Sequence, residues 1–73
     1  MKLSDMDEGK NGHVRSVSGS PEFLRRISAV GITPGSAFSV VQNVKRYPVL
    51  LTIRNTLLAV DRTDCGQIDV EVL

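Results

Sequence analysis

Apolar residues between Phe23 and Val30 fall at Phe23, Leu24, Ile27 and Val30, a helical period that leaves Arg25 and Arg26 on another face. The flanks agree with a helix. Ser20 is placed to accept a hydrogen bond from the first turn, and Pro21 occupies the first helical position, where a missing N–H costs nothing. Glu22 puts an acid at the positive end of the helix dipole. Gly31 stands where a left-handed residue closes a helix, and Thr33-Pro34-Gly35 turns the chain. Gly31, Pro34 and Gly35 are therefore assigned to backbone geometry.

Elsewhere the period is two. Ala37 to Val44 sets Phe38, Val40, Gln42 and Val44 against Ser39, Val41 and Asn43. Pro48 to Arg54 sets Val49, Leu51 and Ile53 against Leu50, Thr52 and Arg54, and Leu57 to Val60 reads as its hairpin partner across an Asn55-Thr56 loop. Asp61 to Gly66 reads as a turn or a single helical turn before a last strand, Gln67 to Leu73. His13 to Ser18 reads as the first strand, but Val14 and Val17 are three apart, which predicts a bulge or a strong twist. Before it, Gly9-Lys10-Asn11-Gly12 reads as a turn cluster, and Leu3 and Met6 are expected to tuck onto the body of the domain. The prediction is all-β: five short strands in a small, closed or nearly closed barrel, with one α-helix inserted after the first strand.

Seventy-three residues, 41% of them hydrophobic, make one domain spanning the whole chain with little room for a buried catalytic pocket. Nine basic and eight acidic residues leave a formal net charge of +1, too balanced to draw in nucleic acid or anionic lipid by field alone. Phe23, Phe38 and Tyr47 are too few for base stacking or for a proline-peptide groove. A single cysteine, Cys65, permits no internal disulfide. The N-terminus lacks the apolar core of a signal peptide, and no apolar run approaches the roughly 20 residues of a membrane span, so a cytoplasmic location without membrane insertion is expected.

Candidate chemistry is sparse. His13 and Cys65 are weak metal candidates, with Asp61 and Asp64 near Cys65 in sequence. They read more simply as an exposed strand residue and a small residue at a turn. A metal shared between chains would draw on His13, Cys65 or the carboxylates of Asp5, Asp7 and Glu8. No serine sits in a nucleophile elbow, no glycine pattern matches a phosphate loop, and nothing orients a nucleophile beside His13, so no enzyme is expected. Arg25 and Arg26 read either as a solvated helix face or as an anchor for an acidic partner surface.

The run Phe23-Leu-Arg-Arg-Ile-Ser-Ala-Val-Gly-Ile-Thr-Pro-Gly35 resembles the signature of the FeoA family. The opening Met1-Lys2-Leu3-Ser4-Asp5 with Gly9 and the closing Leu57 to Cys65 followed by Ile68-Asp-Val-Glu71 resemble that family's two ends. The resemblance implies a Src-homology-3-like (SH3-like) barrel, and a cytosolic accessory protein of bacterial ferrous-iron uptake that contacts the transporter FeoB or its GTP-binding domain. Phe23, Leu24, Arg25 and Arg26 are the expected contact residues, with Arg62 a weaker choice, and one of Phe23 and Leu24 is expected in the core. A similar barrel ends some metal-dependent repressors, so a metal-responsive regulatory domain taking Fe2+ or Zn2+ is the second reading. Oligomeric state is left open. The chain departs from the family in having Asn55 where a hairpin glycine is common, only Lys45-Arg46-Tyr47 where a longer loop is common, and Cys65 where alanine is frequent.

Overall fold

Alternation produces the sheet, and the places where alternation fails give it its shape. The computed structural model describes all 73 residues. Strands β1 (Asn11–Val17), β2 (Ala37–Gln42), β3 (Val49–Ile53), β4 (Thr56–Val60) and β5 (Ile68–Val72) form one antiparallel sheet in the order β4-β3-β2-β1-β5. Helix α1 (Pro21–Ala29) follows β1, a single helical turn α2 (Arg62–Cys65) joins β4 to β5, and Leu3–Asp5 forms a 3-10 turn at the start. The architecture is the small five-stranded barrel with one helix after the first strand that the alternation predicts. Its two edges, β4 and β5, are not neighbours in the ladder, so a seam stays open between them.

The bulge inferred from Val14 and Val17 lies between Val14 and Ser16, opposite Val70 and Asp69, and lets both valines turn inward. A second register shift, between Val40 and Gln42 opposite Leu51 and Leu50, has no counterpart in the sequence pattern. It ends β2 at Gln42 rather than Val44, and leaves Val41 and Val44 exposed. The hairpin also differs by one residue. Arg54 and Asn55 form the loop, both left-handed at φ 53° and 63°, and Thr56 already pairs with Ile53. Two successive left-handed residues match the twist of the flanking strands, which an Asn55-Thr56 loop would require of a β-branched residue. Gly12 is not part of a turn. It lies within β1, facing inward against Met6, where an added Cβ would come within 2.8 Å of the Glu71 carbonyl oxygen.

One core of 15 buried residues fills the interior, with contributions from every strand and from α1. Leu3 and Met6 close one end, as expected from their isolation in a polar segment. Val30 does not join them. It is the C-cap of α1 and is 46% exposed, while Ile32, beyond the turn, takes the buried position.

Candidate partner-binding face

Helix α1 is held at both ends by local chemistry. Ser20 Oγ accepts the Phe23 backbone N–H at 3.1 Å. At the other end Gly31 adopts φ 96°, so that its N–H reaches the Ser28 carbonyl at 3.0 Å and the Ile32 N–H reaches the Ile27 carbonyl at 3.1 Å. This is the double bond of a Schellman ending, and the accompanying apolar contact is supplied by the buried pair Ile27 and Ile32. The next turn is fixed as firmly. Pro34 and Gly35, the latter at φ 90°, form a type II turn closed by the Ser36 N–H on the Thr33 carbonyl at 2.9 Å. The Ser36 hydroxyl is buried within it, donating to the Gly31 carbonyl at 3.1 Å and accepting the Thr33 N–H at 3.3 Å.

With its ends fixed, α1 shows a defined outer face. Phe23 and Ile27 point into the core, so the Phe23 ring is spent on packing. Leu24 lies at the boundary, 37% exposed, and Arg25 is exposed without a hydrogen bond or ion pair to the rest of the chain. Arg26 is tied down. Its guanidinium lies 3.3 Å from the Asp64 carboxylate on α2 and 5.5 Å from the centroid of the Phe23 ring. Both contacts are at the surface and contribute little to stability; what they do is orient the side chain. Between α1 and β4 runs an open groove of about 310 Å³, lined by Ile27, Val30, Ile32, Leu58 and Val60, with Arg26, Asp61 and Asp64 supplying its charges. Of the three exposed residues Leu24, Arg25 and Arg26, Arg26 lines the groove, while Leu24 and Arg25 are exposed elsewhere around the helix.

Arg62 stands apart from that face. Its guanidinium donates to the Val44 carbonyl at 2.7 Å and to the side-chain oxygen of Asn43. Asn43 in turn donates its amide to the Ser4 and Met6 carbonyls, at 2.9 and 2.8 Å, while the Glu8 carboxylate accepts its backbone N–H at 2.7 Å. One asparagine thus ties the N-terminal segment, the loop after β2 and α2 together, with Arg62 as its outer latch. By sequence pattern Asn43 falls on a strand face and Glu8 among the carboxylates open to a metal shared between chains. No local periodicity signals such a hub, because its partners lie 19 to 39 residues away.

His13 lies 3.7 Å from Glu71 across β1 and β5. Cys65 is fully buried, with its thiol 3.6 Å from the Val60 carbonyl, and burial pushes its pKa from 9.0 up to about 11 against the opposing charge of Arg62. A buried, protonated thiol is a poor metal ligand at neutral pH. No three His, Cys, Asp or Glu side chains converge to form a metal cage, and no helix is long and apolar enough to cross a membrane.

Comparison with known proteins places this geometry. A family model described as the FeoA domain matches residues 1–72. The crystal structure of an iron uptake regulatory protein, FeoA, superposes with a TM-score of 0.94 at 23% identity, covering 100% of this chain and 97% of the other. The solution structure of the FeoA protein from Chlorobium tepidum gives 0.89 at 28% identity, covering 100% of this chain and 70% of the other. FeoA from Stenotrophomonas maltophilia, complexed with zinc and described as a prokaryotic SH3 domain protein, gives 0.82 at 21% identity, covering 97% and 89%. Among curated proteins there is no match.

Proposed function

We propose, from the premise that this chain belongs to the FeoA domain family, that it is a cytosolic accessory protein of ferrous-iron uptake that binds the transporter FeoB or its GTP-binding domain. The family is associated with ferrous-iron transport and is one of small SH3-like domains rather than of known enzymes. Within this chain, one observation carries the reading: α1 turns Arg26 and the exposed Val30 onto an apolar groove whose far wall is β4, and leaves Leu24 and the unpaired Arg25 exposed on its other sides. Exposed apolar area next to an arginine held at no internal contact is the composition of an interface centre. Arg26, pre-oriented by Asp64 and Phe23, adds a second guanidinium at reduced ordering cost. Arg62, engaged with Asn43 and Val44, contributes to such a contact through the loop it holds.

The metal-responsive alternative would need a convergent ligand set, and the chain's His, Cys and carboxylates do not provide one. Zinc in the Stenotrophomonas maltophilia protein is a property of that protein.

The test is a pull-down of the tagged chain against the cytosolic part of its host's FeoB, with and without GTP. Leu24→Asp with Arg25→Glu changes the exposed face while sparing Phe23, Ile27 and the Arg26–Asp64 contact. Retention of wild type and loss of a folded double variant is the expected result. Equal retention of both would remove Leu24 and Arg25 from the interface, and failure of wild type to bind in any nucleotide state would refute the soluble-domain contact.

A further inference from the structure

We propose that β4 pairs antiparallel with β4 of a second copy of this chain, about a twofold axis through Leu58, joining two sheets into one. The two edges of the sheet differ in how they are protected. β5 carries Asp69 and Glu71, is bulged against β1, and is overlaid by the N-terminus: Lys2 bridges Asp69, and Met1 exchanges hydrogen bonds with the backbone of Val70. Charges, bulges and a covering segment are the usual devices that stop an edge from recruiting another strand. β4 has none of them. Thr56-Leu57-Leu58-Ala59-Val60 holds no charge and no proline, and its register with β3 runs unbroken from Ile53↔Thr56 to Val49↔Val60.

The free groups can be assigned residue by residue. The two-residue hairpin makes Ile53 and Thr56 a hydrogen-bonded pair, and alternation gives β3 the backbone groups of Thr56, Leu58 and Val60. Leu57 and Ala59 therefore direct their N–H and C=O groups away from the sheet, and neither residue has a backbone partner elsewhere in the chain. With Leu58 on a twofold axis, Leu57 of each copy lies opposite Ala59 of the other. All four outward groups of each strand are then satisfied, and a large side chain meets a small one.

Charge points to the same occupant. Arg54 and Asp61, at the two ends of β4, are both exposed, and neither forms an ion pair within the chain. Asp61 does not cap α2 with its side chain either. The twofold register sets Asp61 opposite Asn55 of the second copy, one residue from that copy's Arg54, so opposite charges meet at both ends of the joined strands. Leu57, 61% exposed in the single chain, is covered in the pair. Two five-residue strands bury less than the roughly 1,200 Å² of a stable complex, so the dimer is concentration-dependent.

The pairing does not rest on the transporter reading and is tested separately, by sedimentation equilibrium of the full chain from about 10 µM to about 1 mM. The expected mass rises from 8.0 kDa toward twice that value across the range. Ala59→Pro removes an outward N–H that β3 does not use, and is expected to weaken association by about tenfold or more with the fold retained. Arg54→Asp and Asp61→Arg should each weaken it, and the double variant should restore it, a rescue that a folding defect cannot imitate. If Ala59→Pro does not fold, the charge series decides alone. A single-chain mass at every concentration, an association indifferent to Ala59→Pro, or no rescue by the charge swap would overturn the proposal. So would a monomeric wild type whose Ala59→Pro variant loses FeoB, which would assign the edge to a transporter strand.

Discussion

Replacing Gly31 tests whether the helix terminus is set by backbone conformation. At φ 96° a residue with a Cβ is strained by about 1–3 kcal/mol, and a β-branched one lies at the upper end. Space is not the issue, since an added Cβ would meet nothing nearer than Arg54 Cδ at 3.9 Å. Against the strain stands the stiffer unfolded chain, worth about 0.4–1 kcal/mol. Gly31→Val should therefore destabilise the domain by about 2–2.5 kcal/mol, which for a chain of this size lowers Tm by about 8–20 °C. The Ile32 N–H bond to Ile27 and the Ser36 hydroxyl bond to Gly31 both depend on the same turn, so little of the strain can be relieved by relaxation. A conformational cost also dictates an order. Asn tolerates the left-handed region, so stability should fall as Gly31, Asn, Ala, Val, read from thermal melts and urea midpoints of the four proteins. A valine variant melting with wild type, or an asparagine variant worse than alanine, would refute the reasoning.

Two further outcomes follow from packing and burial. Gly12→Ala places a methyl 2.8 Å from the Glu71 carbonyl oxygen, which β1–β5 pairing prevents from moving, so a loss of about 1–3 kcal/mol is expected in urea unfolding with Met6 repacking around it. Because the folded Cys65 thiol keeps its proton to about pH 11 while the unfolded thiol loses it near 9.0, the folded state binds more protons in that window. The thiol's contribution is whole below pH 9.0 and declines as pH rises toward about 11, by about 2–3 kcal/mol in total. The difference between wild type and Cys65→Ala in urea midpoints at each pH isolates it, and parallel curves would show that the thiol titrates normally.

What the sequence made legible was whatever depends on neighbours in the chain. The cap at Ser20, the stop at Gly31 and the turn at Pro34-Gly35 are contacts across three to five residues, and all stand where local chemistry puts them. The bulge in β1 was legible because two valines that both pack inward cannot lie three apart on one face of a regular strand. The second bulge was not, because Phe38, Val40, Gln42 and Val44 alternate without a fault. Tertiary demand overrides that alternation: Asn43 is drawn out of the ladder to meet Ser4, Met6 and Arg62. The hairpin shift has the same character, since Arg54 is an unremarkable strand residue by type and becomes left-handed only because the register of β3 and β4 requires a two-residue loop there.

The candidate face was half legible for a related reason. Helical period separates Arg25 and Arg26 from Ile27, yet it cannot decide between Phe23 and Leu24, which lie 100° apart on the helix and are both large and apolar. The direction in which α1 lies across the sheet decides it. Once Phe23 and Ile27 are directed inward and the Gly31 turn hands the next core position to Ile32, Val30 is pushed out to the surface and Leu24 is left at the boundary. Exposed apolar area on this helix is thus a consequence of how it terminates. The same ending that Gly31→Val would strain also places Val30 and Ile32 along the groove facing β4. Strain at that turn should accordingly loosen partner binding as well as stability, whereas Gly12→Ala, on the sheet away from α1, should lower stability alone.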